Sequence, residues 1–197
     1  MNVYLCFTMR TRDQTKYNAV VKSSIELVNK LGFSGISISK IAKKAEVSPA
    51  TIYIYFKNKE DLLTAIYYNI RKKAEESVLT NIDAHMSIKE RFNAIWINSF
   101  SFYLNHPEYI QYREQFEQTK MMNEINTEEF ELNKYVIELF TKGVKDKIIQ
   151  DLPIPILISF AFIPIITLLR IHFSGILIMD EKEIINACKI AWKAIAI

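Results

Sequence analysis

Apolar residues return at three- and four-residue spacing along most of this chain, and the stretches they mark are punctuated by helix caps. Tyr17, Val21, Ile25, Val28 and Leu31 form one such stripe. A period near 3.6 is the signature of an amphipathic helix, and it cannot serve a strand, whose faces alternate every second residue. The chain has only four glycines among 197 residues, too few for the many tight turns of an all-β fold. The expected class is therefore all-α.

The punctuation sets the boundaries. Helix 1 is expected at about 13–31, with Gly32 as its C-terminal cap and Phe33 folded back over the last turn. Ser37 caps a short helix at 38–45, buried through Ile38, Ile41, Ala42 and Ala45. Glu46 and Val47 make a turn. Ser48 caps a third helix at 49–55, with Pro49 at the first position, where a missing N–H costs nothing. Asn58 opens a fourth, with Asp61 three residues on in a capping-box-like arrangement. Its stripe of Leu62, Leu63, Ile66, Tyr67 and Ile70 continues to about 79. Ser87 to Glu90 is a capping box for a helix to about 104. Pro107 starts another, and Asn126 or Thr127 a longer one to about 147. Pro153 and Pro155 precede an apolar helix to about 174, which Gly175 ends. Asp180 and Glu183 cap the last. Nine helices follow, with no convincing strand.

Charge divides the chain unevenly. Residues 1–75 carry 13 Lys/Arg against 6 Asp/Glu, and the remainder 12 against 16. A basic N-terminal third points to an anionic partner there, although a solvated helical surface explains the charge alone equally well. Cys6 and Cys188 make neither a metal pattern nor a disulfide framework, and a reducing cytoplasm is the simplest setting. The start, "MNVYLCFTMRTR", is apolar before it is basic, the reverse of a signal peptide. Met9 is an alternative start, which would leave 1–8 as a disordered extension.

Residues 38–56 carry the chemistry. Two short helices meet through a turn that forces a sharp crossing. Ala42 is small where they approach, and Val47 and Ile52 are placed to bury against the first. This is the physical content of a helix-turn-helix, whose second helix enters the DNA major groove. Tyr53 and Tyr55 end that helix with rings that can pack and O–H groups that reach phosphates. Lys59 adds charge beside a helix N-terminus that favours anions. Pro49, Ala50 and Thr51 stand where bases would be. Core packing of the tyrosines is the competing explanation. It weakens once the cap, the proline, the turn and the lysine are taken in register.

The Gly32-Phe33 junction, "SISKIAKKA" and "VSPATIYIYFKNKEDLL" make residues 13–63, about a quarter of the chain, resemble the DNA-binding domain of the TetR family of bacterial transcription regulators. The resemblance implies that Ser37, Ser48, Tyr53, Tyr55 and Lys59 bind phosphates. It implies that Ser39, Pro49, Ala50 and Thr51 face bases and that Phe56 is core. The chain departs from the family pattern in three places. Glu46 stands where the turn usually carries Gly, at about 1–2 kcal/mol if the backbone is left-handed. Ile54 replaces a polar or aromatic residue and either touches a thymine methyl or packs. Ser39 replaces a base-reading Arg of some members, which argues against strong guanine contacts from that helix.

The resemblance also implies two domains, 9–57 for DNA and 58–197 for effector binding and dimerisation, with helix 4 linking them. Trp96, Phe100 and Tyr103 form one aromatic stripe, and Tyr109, Tyr112 and Phe116 another. Trp96, Phe100, Tyr103, Tyr112 and Phe116 are candidates to line an apolar effector pocket, against the plainer alternative of core packing. His172 beside Arg170 is a weaker candidate for an anionic effector.

Leu152–Leu169 carries no charge and approaches the length of a membrane span. Three prolines, no second span and no one-sided basic flank argue for a soluble helix with one side on the core and one on a partner. The expected protein is a cytoplasmic homodimer joined by its two C-terminal helices, binding a palindromic operator in double-stranded DNA. A small molecule releases it, no cofactor or metal is needed, and it is not an enzyme. His85, His106 and His172 have no partners at recognisable catalytic or metal spacing. The alternatives are a membrane-attached helical protein or an activator of the same fold.

Overall fold

Ser37, Ser48, Ser87 and Asp180 each hold an extended backbone and accept a hydrogen bond from the N–H three residues on. Each starts a helix where the sequence places one. The computed structural model describes residues 11–83 and 85–197 (backbone alone for 11–13). The start at Met9, the extension 1–8 and Cys6 lie outside the described residues. Among the described residues the helices are α1 (Thr11–Leu31), α2 (Ile38–Lys44), α3 (Pro49–Tyr55), α4 (Lys59–Val78), α5 (Ile88–Asn105), α6 (Pro107–Glu117), α7 (Glu131–Lys145), α8 (Ile154–Ala161), α9 (Ile163–Phe173) and α10 (Glu181–Ile195). Short 3₁₀ turns cover Lys120–Glu124 and Thr127–Glu129. The fold is all-α. Taken as one kinked helix, Ile154–Phe173 returns the expected nine.

The differences have local causes. Asn126 does cap, but its side chain accepts from Glu128 N–H and starts the 3₁₀ turn, so α7 begins only at Glu131. The long C-terminal helix breaks at Phe162. Pro164 has no N–H to continue the ladder, and Ile165 N–H bonds instead to Phe162 O. The Ala161 carbonyl is taken by the Trp96 indole N–H at 2.9 Å. Leu31, expected in the α1 stripe, is 43% exposed, while Val28 in the same turn is buried.

The chain separates into two compact units. One holds the residues up to Asn69 with Gln111–Glu124, the other Ile70–Ile110 with Ile125–Ile197. The division falls within α4 and within α6. In the first unit, Val20, Val28, Ile41, Ile52, Leu62 and Ile66 are buried together with Tyr67, Tyr112 and Phe116. Phe33 follows the α1 cap and is half-buried. Its ring meets Tyr112 and Phe116 edge-on at 5.4 and 5.8 Å.

In the second unit α10 packs on α5 and α8, and α9 on α5. Phe92, Trp96, Phe100, Phe140, Leu157 and Trp192 are at its centre. Ile165 and Leu169 belong to this core. The apolar side chains that face outward are different ones: Phe160, Ile163, Ile176, Ile178 and Ile190.

Candidate nucleic-acid interface

The turn between α2 and α3 is a Schellman closure. Val47 N–H reaches back to Ala42 O at 3.0 Å and Glu46 N–H to Lys43 O at 3.4 Å, which satisfies carbonyls the helix end leaves open. That pattern needs a left-handed residue, and Glu46 supplies it with φ 55°. The departure from glycine noted in the sequence is therefore a strained position. Val47 is half-buried and Ile52 fully buried, which fixes the crossing of α3 over α2.

With Ile52 turned inward, the opposite face of α3 is exposed. Pro49 and Tyr53 lie one turn apart on it, as do Ala50 and Ile54. Tyr53 is 56% exposed and Ile54 76% exposed. Neither is core. Thr51 is half-buried, and its hydroxyl lies 2.9 Å from that of Ser48. Tyr55 is half-buried, with its ring edge-on to Tyr17 at 5.7 Å, while Tyr17 stacks on the buried Phe56. Tyr17 thus positions Tyr55, a role that its place in the α1 stripe did not reveal.

Ser37 and Ser39 are exposed at the start of α2. The Ser37 hydroxyl accepts from Lys40 N–H, and the Lys40 ammonium donates to Gly35 O at 2.7 Å. Lys44 pairs with Glu26 at 2.8 Å, and this hydrogen bond holds the Glu26 carboxyl below its usual range. At the start of α4, Asn58 Oδ1 accepts from Asp61 N–H, while Asp61 accepts from Lys57 N–H. The reciprocal bond is thus displaced by one residue from a true capping box. Lys59 is half-buried, with Nζ 3.5 Å from Phe33 O. Lys57, two residues before Lys59, is exposed.

The α2–α3 surface thus holds hydroxyls, lysines and a helix N-terminus around an apolar ridge. The nine residues expected to touch DNA all belong to the first unit. The five aromatics expected to line an effector pocket are divided. Trp96 and Phe100 stack at 5.7 Å in the second unit, and Tyr103 is buried there against Phe102. Tyr112 and Phe116 belong to the first. Tyr112 donates its O–H to Leu63 O at 2.8 Å, and Phe116 stacks on Tyr67 at 4.4 Å. Burial pushes the Tyr112 hydroxyl well above its ordinary pKa. His172 turns its Nδ1 to accept from Met179 N–H.

Known proteins share this arrangement. Residues 20–66 match the model of bacterial regulatory proteins of the tetR family, and residues 87–196 match a tetracyclin repressor-like C-terminal domain. The chain is 31% identical over 142 residues to the "probable HTH-type transcriptional regulator YttP" of Bacillus subtilis (strain 168), covering 69% of this chain and 68% of that one. It is 29% identical over 102 residues to the HTH-type transcriptional repressor NicS of Pseudomonas putida, covering 50% and 46%. A TetR family transcription regulator from Marinobacter aquaeolei VT8 superposes with a TM-score of 0.85 at 30% identity, over 95% of this chain and 99% of that one.

Proposed function

As this chain belongs to the TetR family of bacterial regulatory proteins and is a DNA-binding transcription regulator, we propose that it is a homodimeric repressor of a palindromic operator, released by a small apolar effector. The observation that carries the reading is the α2–α3 surface. α3 is capped, crossed sharply over α2 and turned so that Pro49, Ala50, Tyr53 and Ile54 face outward. Such a helix fits the major groove. Ser37, Ser48, Tyr53, Tyr55 and Lys59 lie around it as phosphate ligands. Ser39, Pro49, Ala50 and Thr51 stand towards the bases. NicS, a relative, is a repressor by name, and that favours repression here.

Dimerisation proceeds through α8–α9 and α10, which leave Phe160, Ile163 and Ile190 exposed. The effector enters the second unit among the aromatics around Trp96, Phe100 and Tyr103. Its binding favours a dimer whose two α3 helices no longer match the spacing of the half-sites, so affinity falls. The protein works in the cytoplasm. Ile154–Phe173 is long and apolar enough to cross a membrane, but a span kinked at Phe162 whose inner side packs on α5 and α10 is better explained as a core and partner helix.

The test is selection of duplexes from a random pool, followed by footprinting and a screen of apolar compounds against the complex. A protected palindrome whose affinity falls with at least one compound is the expected result. A protein that binds no duplex better than random DNA overturns the reading.

A further inference from the structure

We infer that α3 reads its half-site through thymine methyl groups, so that the operator is specified by A·T pairs at the positions beneath Ala50 and Ile54. This rests on the proposal that α3 enters the major groove and adds what it recognises there. Guanine and adenine are read by bidentate side chains: Arg or Lys on guanine, Asn or Gln on adenine. The α3 sequence PATIYIY contains none of these. Its hydroxyls are those of Thr51, Tyr53 and Tyr55. That of Thr51 already lies 2.9 Å from Ser48 Oγ, and the proposed function assigns the tyrosine hydroxyls to phosphates.

What α3 does present is apolar. Ala50 and Ile54 stand one turn apart on the outer face, and at 76% exposure Ile54 is not held there by core packing. The major groove offers one apolar group for such a side chain, the thymine C5-methyl. Nor does α2 supply the missing guanine contacts. Ser39 has no fork of donors, Lys40 donates to Gly35 O, and Lys44 pairs with Glu26. Lys43 lies in the last turn of α2, a helix that crosses the backbone in this motif, where a lysine meets phosphate.

The experiment uses the full-length protein and a duplex recovered by selection. Each thymine is replaced singly by deoxyuridine, which keeps the base pair and removes only the methyl. One or two thymines per half-site should each lose about fourfold in affinity, the effect of one buried methyl. A 5-methylcytosine·guanine pair at the same position should bind better than cytosine·guanine. Ile54→Ala should lose a similar factor on the thymine duplex and become insensitive to deoxyuridine at its own position, with an unchanged melting temperature. Deoxyuridine without effect anywhere, or Ile54→Ala binding and discriminating like the parent, overturns the inference while the regulator itself stands. If no duplex is bound above random DNA, both the inference and the proposed function fail.

Discussion

Glu46 occupies a backbone well that glycine enters freely and other residues enter at about 1–2 kcal/mol. Glu46→Gly relieves that strain but gives the unfolded chain more freedom, which takes back about 0.4–1 kcal/mol. The expected net gain is about 0.5–1 kcal/mol in urea unfolding. Glu46→Ala, which keeps the Cβ, should leave stability nearly unchanged. A Glu46→Gly protein less stable than Glu46→Ala by about 0.4–1 kcal/mol would show that the position is not strained. Tyr53 allows a second test. Its side chain is exposed, so Tyr53→Phe should not alter the melting temperature. If its O–H meets a phosphate, affinity falls on operator and random DNA alike. Lys59→Ala should in addition reduce the salt slope by about one phosphate per subunit. Unchanged binding in both stable variants would remove these residues from the interface.

Among the elements, those with both a cap and a period were legible. α3 runs from Pro49 to Tyr55 as expected, because Ser48, Pro49 and the buried Ile52 each specify it independently. The C-terminal stretch was legible in existence but not in orientation. An all-round apolar helix has no period from which to read a buried face, so Ile165 and Ile163 look alike in sequence although one is core and the other exposed. Tyr112 and Phe116 follow the same helical spacing as Trp96 and Phe100, and spacing within a helix does not reveal which unit it joins. The α5–α10 contact gives a pH test. Cys188 on α10 lies against Asn93 on α5, and burial pushes its thiol from 9.0 up to about 11. The folded state therefore prefers the neutral thiol. Its contribution is full below 9.0 and is lost as pH rises to about 11. Unfolding free energies across that window should fall more steeply in the parent than in Cys188→Ala. Parallel curves would mean the thiol opens to solvent.

At the scale of the whole molecule, the proposed dimer rests on the outward apolar side chains of α8, α9 and α10. Phe160 is 62% exposed, Ile163 60% and Ile190 69%, and the Ile176–Ile178 segment between α9 and α10 is exposed and apolar as well. A surface of this kind on a free monomer is an association site. A two-fold dimer would bury each copy's patch on the other's. The same stretch supplies its own control, since neighbouring residues face opposite ways. Phe160→Asp or Ile163→Asp places a charge in the seam and should yield a folded monomer by sedimentation at micromolar concentration. Its melting temperature should fall only by what dimerisation contributes. Ile165→Asp or Leu169→Asp instead buries an unpaired carboxylate in the core, at a cost of several kcal/mol, and should unfold the second unit. The monomer should also lose most of its affinity for a palindrome while keeping weak binding to one half-site, because each subunit carries a complete α2–α3 head. A parent protein that sediments as a monomer, or a Phe160→Asp/Ile163→Asp double variant that remains dimeric, would move the partner surface away from these helices.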